Sequence, residues 1–267
     1  MNPDALPEIR AQAARALSCV NPLDKVSAVQ ALRQDWPVDT HAVLVPQVGR
    51  PAKPALVHPR QVPTRGVGDV TGRGMLLHAL AHIEFNAINL ALDIMVRFAG
   101  QPAEFYRDWL QVAREEAYHH TLLCKRMADY GVAYGDYPAH DGLWQMAEKT
   151  SDSLMARLAL VPRLLEARGL DVSPAIRDKL ISVGDTDSAE VLNIILQDEI
   201  GHVAIGNRWF NAQCQLQGVE PVAAFEQLLA QYGAPIPRSP FNYPARRDAG
   251  FSELELAWLH QIELAQH

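Results

Sequence analysis

The sequence predicts an all-α protein organised around four long helices. Three observations carry that expectation. No stretch of any length alternates apolar and polar residues with the period of two that a half-buried strand requires. Four long stretches instead repeat apolar residues every three or four positions, each bounded by Gly, Pro or Asp. Prolines concentrate in one stretch outside them, between Pro37 and Gly74.

Residues 5–35 carry helical periodicity, interrupted at Asn21-Pro22. From Pro37 to Gly74 the chain reads as extended, because Pro37, Pro46, Pro51, Pro54, Pro59 and Pro63 fix φ and withhold donors. A segment that long is expected to wrap over a folded body. The first long helix is expected from about Gly74 to Phe98, stopping at Gly100. The second starts near Pro102, a favoured first-turn residue, and stops at Gly131. The third is expected from an Asp141 N-cap to Gly169, kinked at Pro162, with a short helix after Ser173-Pro174. The fourth runs from Asp185 to Gly218. At 1.5 Å per residue the long helices are roughly 37–48 Å each. Shorter helices are expected near Glu220–Tyr232 and from Ser252, whose S-E-L-E has capping-box spacing. The expected organisation is residues 1–74 as N-terminal helices and wrapping segment, 75–218 as a four-helix bundle, and 219–267 as a C-terminal helical extension, together one compact unit.

Composition narrows the function. The chain has 267 residues, 48% hydrophobic and 21% charged, which excludes wholesale disorder and fibrous repeats. A net charge of −7 provides no footprint for broad nucleic-acid or anionic-membrane binding; Arg60, Arg65 and Arg73 are the local basic exception. Cys19, Cys124 and Cys214 are far apart and form no CxxC pair, which points to a reducing compartment and no thiolate metal site. The opening MNPDALPEIRAQAARAL has an acid at position 4 and no apolar core, and no run approaches the ~18 apolar residues of a membrane span. A cytoplasmic protein without a membrane segment is the expectation.

The chemistry lies on the buried stripes. Leu77, Leu80, Glu84, Ala87, Ile88 and Ala91 share one face of the first long helix. Trp109, Val112, Glu116, His119 and Leu123 share a face of the second, Met155, Ala159, Pro162 and Glu166 of the third, and Leu192, Ile195, Leu196, Glu199, His202 and Val203 of the fourth. Each long helix thus turns one carboxylate toward its neighbours, and two add a histidine three residues later. Four carboxylates in a low-dielectric core repel and cost several kcal/mol each to desolvate. Two divalent cations would balance them. Glu from two helices and Glu-x-x-His from two others is the ligand set of carboxylate-bridged dinuclear sites. A single Glu-x-x-His is weak, but Glu84 and Glu116 lie 32 residues apart and Glu166 and Glu199 lie 33 apart, as antiparallel helices crossing at mid-length require. The alternative is surface ion pairs with capped core histidines. Behind the ligands, Asp198, Glu115 and His82 are candidates to receive or orient the metal-bound histidines. His78 and His82 either support the ligands from behind or are satisfied packing, His120 beside His119 points sideways, Tyr118 lies off the inner face, and Arg163 either pairs with Glu166 or faces solvent.

HIEFNAINLALD, REEAYHH, LLEARGLD and LQDEIGHVAIGNRWF resemble the ferritin-like superfamily. Over about residues 25–265 the chain most resembles its bacterial family called domain of unknown function 455, which is distantly similar to tRNA-hydroxylating di-iron enzymes. The resemblance implies a ferritin-like four-helix bundle with Glu84, Glu116, His119, Glu166, Glu199 and His202 in the six ligand positions. It implies iron, with manganese or a mixed Mn/Fe pair as alternatives, and no substrate. Leu123 stands four residues after His119, where a radical-forming ribonucleotide reductase subunit carries tyrosine, so a stable tyrosyl radical is not expected.

Three functions follow. The first is an O₂-activating oxygenase or oxidase acting on a small organic molecule with an electron donor; segments 37–74 and 219–267 could build its pocket. The second is a ferroxidase or iron-handling protein, disfavoured because those segments would hinder a storage cage, so a monomer or dimer is expected. The third is a non-catalytic bundle stabilised by its metals. A tRNA substrate has only the basic lead-in residues in its favour.

Overall fold

The computed structural model describes residues 7–63 and 66–266; Arg65 and the leader reading of Met1–Leu6 lie outside them. The described residues are all-α, their β structure limited to one isolated bridge between Leu56 and Ala139. The chain divides into two compact units, Met1–Trp144 and Gln145–His267.

The first unit opens with α1 (Ile9–Ser18) and α2 (Pro22–Gln30). Asn21 caps α2 by accepting from the Leu23 and Asp24 amides, and Pro22 occupies the first turn, where a missing N–H costs nothing. A long helical hairpin follows, α3 (Val70–Arg97) and α4 (Ala103–Ala128). α3 starts four residues before the expected Gly74, because Asp69 caps it by accepting from the Gly72 amide at 2.7 Å. The early glycine belongs there for space: a Cβ on Gly72 would lie 2.2 Å from the Gly66 carbonyl oxygen. α3 is long and apolar enough to cross a membrane, but 83% of its apolar window is buried inside the protein, so its composition reflects a core helix.

Two buried cations tie this unit together. Arg10 donates from Nε to the Met95 carbonyl (2.9 Å), from Nη2 to that of Val96 (3.2 Å), and from Nη1 to those of Asp39 (2.6 Å) and Ala42 (2.8 Å). The first two carbonyls close α3, where a cation meets the negative end of the helix. Lys25 donates to the carbonyls of Leu17 and Gly49 and to Asn89 Oδ1, so all three ammonium protons find acceptors. The proline-rich segment runs between these anchors. Its backbone pairs with α1 at Gly49–Leu17, and Ala55 and Val57 pair with Ala139 beyond α4.

α5 (Gly142–Lys149) carries the division between the units. The second unit continues with α6 (Leu154–Leu160), a π-helical segment (Val161–Glu166), α7 (Ala167–Ser182) and α8 (Thr186–Gln217). The single third helix expected from Asp141 to Gly169 is therefore incorrect in three places. It breaks after Lys149, where Ser153 caps a new helix and buried Arg157 bridges the corner by donating to Thr150 Oγ1 and the Ala147 carbonyl. Pro162 produces a π turn rather than a simple kink. The helix then passes Gly169 and includes Pro174, which cannot bond the Leu170 carbonyl; Asn242 Nδ2 donates to that carbonyl instead, at 3.0 Å. α8 approaches the π turn closely at Gly206, where a Cβ would lie 2.5 Å from Pro162 Cβ.

α9 (Pro221–Gln231), α10 (Tyr243–Asp248) and α11 (Glu253–Ala265) complete the second unit. The capping box at Ser252 forms as the sequence predicts. Phe241, Ala245, Phe251, Leu256 and Leu259 from this end pack with Ala167, Leu170 and Val203 of α7 and α8.

Candidate metal centre

In the first unit the α3–α4 hairpin brings Glu84, Glu116 and His119 together. Each is almost completely buried. His119 Nδ1 lies 3.4 Å from Glu84 Oε2 and 3.5 Å from Glu116 Oε2. Ligand atoms of all three lie within 4.8 Å of one another, so the group could hold a metal ion. Donors sharing one ion at about 2.1 Å sit roughly 3.0–3.4 Å apart, close to these separations. The donors are two carboxylates and an imidazole, a set for hard-to-borderline divalent ions.

The cluster's own charge calls for a cation. Burial, reinforced by Glu116, pushes the Glu84 carboxyl up to about 8. Burial alone would lower His119, but Glu116 and Glu84 hold its imidazolium and raise it to about 11. Without a metal, protons supply the missing positive charge. Glu84 binds its proton more tightly folded than unfolded, so its contribution is full below its ordinary 4.5 and lost as the pH rises through about 8. Burial pushes Lys25 the other way, down to about 7, so its contribution rises with pH. Comparison with Glu84→Gln cancels that trend. In metal-free protein, the melting temperature of this variant is expected to gain on the parent as pH rises from about 5 to 8. A pH-independent gap in thermal melts would contradict the assignment.

In the second unit α8 repeats the step. His202 Nδ1 lies 3.4 Å from Glu199 Oε1, and His202 is buried while Glu199 is partly so. Glu166 ends the π segment, partly buried. Asp198, beside Glu199 on α8, is also partly buried.

The remaining candidates occupy other places. Glu115 accepts from Gln111 Nε2 at 3.1 Å and lines a groove of about 650 Å³ with Val26, Gln30 and Tyr118. His82 belongs to a buried chain of hydrogen bonds. Arg50 is paired with Asp141 and donates to Asn86 Oδ1 (3.2 Å), so the Asn86 amide nitrogen turns to His82 Nε2 (3.0 Å). His82 Nδ1–H is then left to donate to the Tyr134 oxygen at 3.0 Å. Burial pushes His82 down to about 4, which keeps it neutral. His78 Nε2 accepts from the Gly135 amide, and His120 Nδ1 donates to the Ala81 carbonyl. Arg163 neither faces solvent nor joins Glu166; it is buried against Glu255.

Sequence reasoning missed Tyr134. Its ring meets those of His78, His82, Phe85 and His120, yet it sits in a turn after α4 where no helical period marks it. Burial raises the Cys124 thiol to about 11, which keeps it protonated at neutral pH in the metal-free protein.

The chain matches the family described as "Protein of unknown function (DUF455)" over residues 18–257. It belongs to this family. It is also 40% identical over 269 residues to an uncharacterized protein of Haemophilus influenzae, covering 94% of this chain and 93% of that one. No solved structure matches. The family's description specifies no activity, so the donor cluster carries the functional argument.

Proposed function

We propose that this member of the family is a dinuclear carboxylate metalloprotein. In this reading its two hairpins form a ferritin-like bundle whose ions activate O₂ against a small organic substrate. The observation that carries it is the convergence of Glu84, Glu116 and His119 in a buried cluster, with the same Glu-x-x-His step repeated at Glu199 and His202. Glu84, Glu116 and His119 from one hairpin and Glu166, Glu199 and His202 from the other are the six ligands. Four carboxylates neutralise two divalent ions, and one imidazole serves each. Iron supplies the redox chemistry with O₂ when bound.

The protein's part is positioning and exclusion of water. Glu116 and His119 occupy successive turns of α4, so one rigid helix fixes both donors. Buried Trp109, Val112, Ala113 and Leu123 continue that face and lower the local dielectric. In the metal-free state Glu84 and His119 both hold protons, and both would be released to the medium on loading, since a carboxylate and a neutral imidazole are the forms that hold an ion.

Anaerobic Fe(II) titration should give two ions per chain, and O₂ addition should then produce uptake that stops when Glu116 is replaced by Gln. Fewer than two bound ions, or no O₂ uptake by the loaded protein, would overturn the proposal. Stoichiometric iron oxidation with no acceleration by organic compounds would move the function to iron handling.

A further inference from the structure

The second unit holds a buried guanidinium that the metal reading does not use. Arg163 is 2% exposed and lies in the π segment, three residues before Glu166. Its guanidinium carbon sits 4.2 Å from the centroid of Phe210, 5.2 Å from that of Phe251 and 5.3 Å from that of Phe225. Nη2 pairs with Glu255 Oε1, while Nε and Nη1 find no hydrogen-bond acceptor among the described residues. Glu255 is itself fixed, since its Oε2 accepts from the Ser252 amide at 2.7 Å and from Ser252 Oγ at 2.8 Å. The carboxylate that caps α11 therefore also neutralises a cation in the π segment.

This matters because a π turn is a weak structure with a large geometric effect. One extra residue in a turn rotates everything after it by about 100° relative to an uninterrupted α-helix. Pro162 adds no N–H to the segment, and the tight seat against Gly206 holds it from one side. Arg163 holds it from another. Relaxation of the bulge would turn Glu166 by that same angle.

We infer that Arg163 and Glu255 are positioning residues, a clamp from the C-terminal helix that keeps the π bulge formed and so sets the azimuth of Glu166. This inference rests on the reading of Glu166 as a metal ligand. The chemistry is indirect: neither clamp residue touches an ion, and the clamp acts through the backbone between Arg163 and Glu166. It also gives the C-terminal extension a role in metal affinity.

The test uses the full chain and Co(II), whose visible spectrum reports ligand geometry. Glu255→Gln keeps the shape and the Ser252 contacts but removes the charge, and Arg163→Lys keeps the charge but loses the planar fork. Both are expected to bind one of the two ions about 10- to 100-fold more weakly, with an altered spectrum for that ion only. Arg247→Gln breaks the exposed Arg247–Glu253 pair at the same end of α11 and is expected to leave both ions unchanged. Should Arg163→Lys fail to fold, the isosteric Glu255→Gln decides alone. A folded Glu255→Gln protein with parental affinity and spectrum for both ions overturns the clamp. Failure of the parent protein to bind two ions instead overturns the metal reading.

Discussion

Replacing Glu116 by Gln is expected to abolish most of the stability that metal adds. In the parent protein, free metal at 100 times its Kd should stabilise the fold by about 2.7 kcal/mol, because the ion binds the native state and not the unfolded chain. That is roughly 5–10 °C in melting temperature for a domain of this size. Glu116 sits at the centre of the cluster, fully buried and facing both Glu84 and His119. The amide removes a charge and a metal donor together. Without metal the variant should melt near the parent temperature, because Glu84 can ionise and replace Glu116 as the partner of the His119 imidazolium. With metal it should gain little. Melts of both proteins with and without Mn(II) measure both effects. A metal-dependent gain equal to the parent's would exclude Glu116 as a ligand.

The largest purely structural loss is expected at Arg246. Its guanidinium is 3% exposed and grips Asp171 with two bonds, at 2.9 and 2.7 Å. It also lies 5.3 Å from the centroid of Phe241 and 5.0 Å from that of Phe251. Arg246→Met leaves Asp171 buried with the Asn242 amide at 2.9 Å and the more exposed Arg168 at 3.6 Å. Removing one partner of a buried pair costs about 3–5 kcal/mol, an upper bound here because Arg168 and the Asn242 amide remain. Urea denaturation should show that loss. Asp171→Leu added to Arg246→Met should recover part of it, since removing both charges ends the imbalance. A single variant as stable as the parent would mean that Asp171 does not depend on Arg246 for its charge balance.

Much of the helical layout was legible because its signals are local. Asp185 and Gly218 predict the ends of the fourth helix, which spans Thr186–Gln217, with Asp185 accepting from the Ser188 amide and Gly218 in the left-handed region at φ 67°. The Ser252 capping box and the Asn21-Pro22 break are equally local. The third helix failed for the opposite reason. Pro174 reads as a breaker until Asn242, 68 residues later, supplies the donor that Pro174 lacks. The Lys149–Ser153 break depends on Arg157 folding back on Thr150 and Ala147.

The sequence by itself determined that the protein is helical and where most helices begin and end. It also singled out the carboxylates and histidines on apolar stripes, because helical periodicity and capping act over a few residues. Only the tertiary structure decided which charges are satisfied and by what. It brought His119 to Glu84 across a hairpin, enclosed Arg163 among three phenylalanine rings, linked His82 to Tyr134, and converted Pro162 from a kink into a π turn seated on Gly206. Those outcomes depend on partners tens of residues away. A side chain's charge state and direction are set by the atoms packed against it, and no local period records them.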